Sequence, residues 1–423
     1  MKPRTRGINW IYATLPINIA MGPVSTYIPL AILELHGTVV DVGVAITLFN
    51  AVTIPAAMVW GFATDRFHSR RSIIVTSYFV TAGILILFLF ASTIYRVELL
   101  YSIFSLVSSA AATPLNLLVM ETQPKSRWAT AFARFSMVSS VGVTIGLLLG
   151  VAWGDFLPFD LLVIPLAILS FASALLSFAW IREPGLAFER EIIVMVRRSF
   201  FERLLSLPVL FLRIPGLFDF RKVIKGLRYE LTQETEILYL SIVLFYLASG
   251  IFNTSIVPSL YSARISKSQI FLVFLSGMAV QTAAFRYVGP YIEKRSPKIS
   301  AIAGLLLRSL SYAFIGLSAY LLTGLLYLGS ALVLYPLAAG VAYAAYYAAS
   351  NVMVFQTLGR TNQGAVLGVY SALVGLATML GSLISGYVSF FFGYSATFIS
   401  SGLCMAAAAT LTAFLPPTKT EPD

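Results

Sequence analysis

One cysteine, Cys404, and two histidines, His36 and His68, are the only thiol and imidazole groups in this chain. A single thiol cannot build a disulfide framework or a cysteine-rich metal site, and it leaves the redox compartment unreadable. No nucleophile-and-base pair and no metal-ligand set appears, so neither an enzyme nor a cofactor is expected. Charge is scarce as well. Only 11% of the residues are Asp, Glu, Lys or Arg, against about a quarter in soluble domains. A cleavage signal is also missing: the apolar run after Lys2, Arg4 and Arg6 is too long for a signal peptide and has no small-residue cleavage site.

Long apolar runs fill the chain instead. Hydrophobic residues make up 58% of it and the mean hydropathy is +0.85. Crossing roughly 30 Å of hydrocarbon takes about 20 apolar residues per helix, with the backbone bonded to itself. Runs near 8–33, 41–63, 72–93, 99–120, 129–153 and 159–180 predict six spans, with Asp41 as the N-cap of the second. Runs near 237–260, 269–289, 299–322, 329–355, 365–391 and 395–415 predict six more. The expected fold is an all-α membrane protein with twelve spans.

Between the two sixes the composition changes. From Ile181 to Glu236 the chain has ten Lys or Arg and eight Asp or Glu, and no clean apolar run. The expected organisation is therefore a first bundle over 1–181, a cytoplasmic linker over 182–236 and a second bundle over 237–423. Amphipathic helices at Phe188–Leu207 and Phe218–Tyr229 are expected to lie on the bilayer surface.

The second six repeats the first. Gly61-Phe-Ala-Thr-Asp65-Arg66 is followed by Arg70 and Arg71, and the order recurs 228 residues later as Gly289-Pro-Tyr-Ile-Glu293-Lys294. The same offset sets Ala20, Gly22, Thr26 and Ile28 on Ala248, Gly250, Thr254 and Ile256. An offset of 235 sets Gly146 on Gly381. A charged loop repeated by chance would not carry its flanking helices with it, so the halves are homologous.

Basic residues orient the chain. All but six of the Lys and Arg lie at the amino terminus, in the loops after even-numbered spans and in the tail; Arg96, Arg264 and Lys267 lie in the opposite loops, and Arg134, Arg286 and Arg308 fall within spans. Both termini are then cytoplasmic. The net charge of +11 is a topology signal, and nucleic acid is not an expected partner. The expected partners are the lipid bilayer and a small molecule, with a coupling proton or ion left open and the plasma membrane as the location. A monomer is expected.

Twelve spans in two sixes, a long central loop, and GxxxDR followed by bases between spans two and three resemble the major facilitator superfamily. The sequence departs from that motif at His68 and Ser69, which delay the following arginines by one residue. The resemblance implies two six-helix bundles that rock about a central site, and so transport of a solute by alternating access. A receptor or scaffold on the same fold is the competing reading. The resemblance also implies that Asp65 meets the amino end of span eleven, at Thr361–Gly364, with Glu293 mirroring it near Arg127 and Trp128. Asp65 sits badly for its own helix dipole and so needs an outside partner. Gly61, Asp65, Arg66, Arg70, Gly289, Glu293 and Lys294 form the expected conformational latch.

By the same resemblance the cavity is lined by spans one, four, seven and ten. Candidate contacts are Asn18 and Ser25, Ser109 and Asn116, Tyr246 and Asn253, and Tyr343, Tyr346, Tyr347 and Asn351. None of those spans has a charge in its middle, which favours a neutral or lipophilic solute; sugars and drug-like compounds both qualify. The family's drug exporters usually carry a Gly-Pro pair in span five and a buried arginine in span four. Here Gly146 precedes Leu147 and span four lacks the arginine. Arg308 lies near the middle of span nine, where a cation is costly, and is expected to be satisfied within the second bundle as a structural group.

Overall fold

The computed structural model describes residues 8–67, 70–122, 128–181, 233–293, 296–357 and 363–416. The expected linker helices and the tail lie outside those residues. Spans one to three are Leu15–Glu34, entered through a 3-10 turn at Ile8–Thr14, then Val39–Phe67 and Arg70–Leu87. Span four comes in two pieces, Ile94–Ser108 and Ala112–Thr122; spans five and six are Trp128–Trp153 and Val163–Trp180. Spans seven to nine are Gln233–Ser262, Lys267–Glu293 and Pro297–Leu321. Span ten is Gly324–Tyr335 and Tyr343–Thr357, joined by a π-helical stretch at Pro336–Ala342.

Spans eleven and twelve run together as Gln363–Phe414, 52 residues long. At about 1.5 Å per residue one rod of that length would reach some 78 Å. Gly393 interrupts it with φ 84° and ψ 165°, a backbone region essentially closed to residues with a side chain. Twelve spans result among the described residues, in two bundles of six.

The repeat is visible in atomic contacts. Span one ends in a left-handed turn at His36, φ 62°, where Gly37 N–H donates to Ile32 O at 2.9 Å and His36 N–H to Leu33 O at 3.1 Å. Span seven ends in the same turn 228 residues on. Arg264 has φ 60°, Ile265 N–H donates to Leu260 O and Arg264 N–H to Tyr261 O. Both are Schellman caps without the usual glycine.

The next helix opens alike in both halves. Thr38 N–H donates to Asp41 Oδ2 at 2.6 Å and Asp41 N–H to Thr38 Oγ1 at 3.5 Å. Ser266 N–H donates to Gln269 Oε1 at 3.2 Å and Gln269 N–H to Ser266 Oγ at 3.3 Å. These are reciprocal capping boxes. Asp41 is thus not the N-cap that the sequence suggested: Thr38 caps, and Asp41 answers from three residues on.

Glycines set how closely the helices approach. A side chain at Gly22 would lie 2.5 Å from Val143 O, and one at Gly250 would lie 2.6 Å from Thr378 O. Likewise Gly146 faces Ile19 O and Gly381 faces Leu247 O, both too close for any Cβ. The offsets of 228 and 235 carry each of these first-half contacts onto its second-half partner. Spans one and five, and seven and eleven, are therefore seated backbone to backbone, as small residues allow in lipid.

Candidate functional site

Spans four and ten both break near mid-length, one at the 3-10 turn Ser109–Ala111 and the other at Pro336–Ala342. Around the first break, carbonyls take bonds from neighbouring spans. Trp60 Nε1 donates to Leu106 O at 2.7 Å and Ser77 Oγ to Val107 O at 2.8 Å. Ser105 Oγ ties span four to Phe49 O of span two at 2.7 Å. Irregular backbone at such depth survives only when protein groups satisfy it.

Span ten resumes at Tyr343 and delivers its tyrosines to an aromatic cluster. The Tyr346 ring stacks on Phe245 of span seven at 3.9 Å between centroids, and Tyr343 stacks on Tyr347 at 5.5 Å. Phe245 meets Tyr246 edge-on at 5.0 Å. Burial grades outward: Tyr346 is buried, Tyr343 half-buried and Tyr347 40% exposed.

Arg308 enters this cluster from span nine. It stands in the middle of a 25-residue helix and is only 3% exposed. Its Nε donates to Tyr312 Oη at 2.7 Å, and the guanidinium carbon lies 4.9 Å from the Phe245 ring centre and 5.3 Å from those of Tyr312 and Tyr343. Nη1 is enclosed and has no acceptor. Its partners are all in the second bundle, as expected: one phenol and three ring faces. Each ring contributes about 0.5–2 kcal/mol, while the enclosed donor without an acceptor costs about 1–3 kcal/mol. Because a spacing argument sees only one helix, it missed that a side chain of a supporting span reaches the tyrosines of span ten.

The other candidates differ in burial. Asn18 is half-buried and serves packing: its Nδ2 donates to Thr14 O at 2.7 Å, and its Oδ1 accepts from Ser139 Oγ of span five at 2.8 Å. Ser25, Asn116 and Asn253 are exposed; Ser109, Tyr246 and Asn351 are half-buried. For the charged motif, the side chains of Asp65, Arg66, Glu293 and Lys294 lie outside the described residues, as do 358–362. Arg70 begins span three.

The two bundles meet closely at the face that carries the turn after span one. Span two crosses span eleven at Gly43, where a side chain would lie 3.1 Å from Gly386 Cα. Span five crosses span eight at Gly150, whose Cβ would lie 2.6 Å from the Phe271 ring. Lys267, at the start of span eight, forms an ion pair with Glu34 and sits 4.4 Å over the Phe159 ring; both of these residues belong to the first bundle. Asp155 accepts from Ser266 Oγ at 2.7 Å and from Ser268 N–H at 3.4 Å, a carboxylate set on the first turn of span eight. Farther along span two, a side chain at Gly61 would meet nothing within 4 Å among the described residues. These closing contacts were not anticipated, since Glu34, Asp155 and Lys267 come from three separate turns.

Solved structures share this arrangement. The nucleoside transporter NupG aligns over 97% of this chain and 99% of its own at 12% identity, with a TM-score of 0.70. A bacterial homolog of the human lysosomal transporter Spinster, inward-facing and unoccupied, aligns over 98% and 96% at 17% identity and a TM-score of 0.68. A POT family transporter in complex with 5-aminolevulinic acid aligns over 97% and 96% at 12% identity and 0.71. At these identities the likeness is one of fold. No curated protein sequence matches the chain. The sequence does match the Major Facilitator Superfamily over residues 11–218 and 238–423. With twelve spans in two mirrored sixes and that match over nearly its whole length, this chain belongs to the Major Facilitator Superfamily.

Proposed function

We propose that the protein is a secondary transporter that moves a small organic solute by alternating access, with Tyr343 and Tyr347 of span ten on the solute's path. The observation that carries this reading is the one-sided closure. Glu34 with Lys267, Asp155 with the first turn of span eight, and Gly43 with Gly386 hold the bundles together at one face, while toward the other a side chain at Gly61 would meet nothing within 4 Å among the described residues. That is one of the two states a rocking carrier visits. Family membership and the transporter folds above support the same reading.

With both termini in the cytoplasm, as the basic residues favour, the closed face is the outer one and the carrier opens inward. Asp65 and the amino end of span eleven then form the inner catch, engaged in the other state. The reading is of a monomer in the plasma membrane. The absence of charge from the four lining spans favours a neutral solute, whereas Arg308, which arrives from span nine, brings a cation against the tyrosines of span ten.

A receptor or scaffold would not need both states. Spin labels at F156C and S262C, in a C404S background, sit on the two bundles at the closed face. Two distance populations are expected by pulsed electron resonance, one short and one long. A single short population in lipid, with no solute counterflow in proteoliposomes, would overturn transport.

A further inference from the structure

We propose that Arg308 and the rings around it form an anion-receiving subsite, and that the solute carries one carboxylate on a flat, ring-bearing body. The inference rests on the transport reading and gives it a substrate class. Its first ground is the unfinished coordination. Tyr312 Oη takes Nε, three rings take the faces, and Nη1 is buried without an acceptor; among the described residues no carboxylate pairs with the guanidinium.

Its second ground is that the scaffold does not need a cation there. Span three buries Ile74, Ser77, Tyr78, Thr81, Ala82, Ile84 and Leu85. Adding 227 to each number gives Ala301, Gly304, Leu305, Arg308, Ser309, Ser311 and Tyr312, all buried in span nine. The first bundle thus fills the place of Arg308 with Thr81 and that of Tyr312 with Leu85, while Ile17 stands for Phe245 at an offset of 228. Those three places are filled in the first bundle without a charge or a ring. A charge kept only in the second bundle, at the costliest depth, is therefore retained for something other than packing.

Chemistry selects the ligand. A guanidinium presents a planar fork of donors that matches a carboxylate. It is a single cation, so a phosphate dianion would keep one charge unmatched in an apolar setting. Ring faces at Phe245, Tyr312 and Tyr343 favour a flat apolar body over a polyol. Entry is from Tyr347, which is partly exposed and stacks on half-buried Tyr343, itself against the guanidinium.

The test uses the full chain in lipid nanodiscs with benzoate, phenylacetate and indole-3-acetate, each set against its carboxamide, by titration calorimetry. At least one acid is expected to bind, and its amide at least about tenfold more weakly, since the difference is one charged hydrogen bond. R308Q is expected to abolish the acid's advantage, and R308K to keep only part of it. Binding of none of the three acids, equal binding of acid and amide, or an acid preference that survives R308Q would each overturn the subsite. If both variants fail to fold, phenylglyoxal modification of the wild type decides: the acid should shield Arg308 and the amide should not, and no shielding overturns the proposal. Counterflow separates the two readings. An acid bound through Arg308 but never exchanged sinks transport and supports the subsite, whereas exchange with no acid preference sinks the subsite and keeps transport.

Discussion

Replacing Lys267 with Gln should open the closed face. Lys267 of span eight is held twice by the first bundle, by the Glu34 carboxylate and by the Phe159 ring. The ion-pair side chains are 23% and 30% exposed, so solvent screening holds their pairing to about 0.2–1 kcal/mol. The cation over the ring adds about 0.5–1 kcal/mol. Together these give about 0.7–2 kcal/mol, which shifts the closed-to-open ratio by about 3- to 30-fold. The F156C and S262C label pair reads the shift directly: the ratio of the short-distance to the long-distance population should fall in K267Q by that factor. In the wild type, about 1 M salt should move it the same way but less, because salt weakens the ion pair and spares the ring contact. An unchanged ratio in K267Q would mean that helix packing alone closes this face, and the reasoning from the charged pair would fail.

Asp65→Asn should act in the opposite sense, favouring the state closed at the Lys267 face and slowing exchange, while affinity measured in one fixed state stays put; the same labels and a binding titration check it. Gly22→Ala and Gly250→Ala should each cost about 1–3 kcal/mol, because the added methyl meets a backbone carbonyl that cannot yield, and similar falls in Tm in nanodiscs are expected from the mirrored sites. Ser105→Ala, which loses its bond to Phe49 O and its link to Thr53 Oγ1, should lower stability by about 1–2 kcal/mol in the same assay. His36→Gly and Arg264→Gly should raise it by about 0.5–1 kcal/mol each, since the left-handed backbone is strained for both residues.

Much of this architecture is written along the chain. The matched glycines gave offsets of 228 and 235, and those numbers alone pair Gly22 and Val143 with Gly250 and Thr378. They also carry His36 onto Arg264 and Thr38 onto Ser266. Long apolar runs marked the spans because a helix in lipid must be apolar for its full length. Interruptions were harder. Pro336 is visible in sequence, but whether a proline kinks, ends or widens a helix depends on neighbours that satisfy the freed backbone. The surroundings of Arg308 were out of reach for a similar reason, since Phe245 and Tyr343 come from spans far apart in the chain. One signal for the closing contacts was present and passed over. Lys267 is a base on the face where the positive-inside rule leaves few, and Glu34 is the partner that holds it there.

Gly393 bears on sidedness. Spans eleven and twelve have no polar loop between them, only Phe390, Phe391, Phe392 and then the glycine. Nothing in the local hydropathy tells an inserting chain to turn back; the reversal is made by one backbone that a side chain would strain. A residue such as Val at 393 would make the turn compete with a straight helix more than twice as long as a bilayer core of about 30 Å. The side of the membrane on which the carboxyl-terminal tail emerges, and any tag or partner attached to it, therefore depends on an atom that is not there, the Cβ of residue 393.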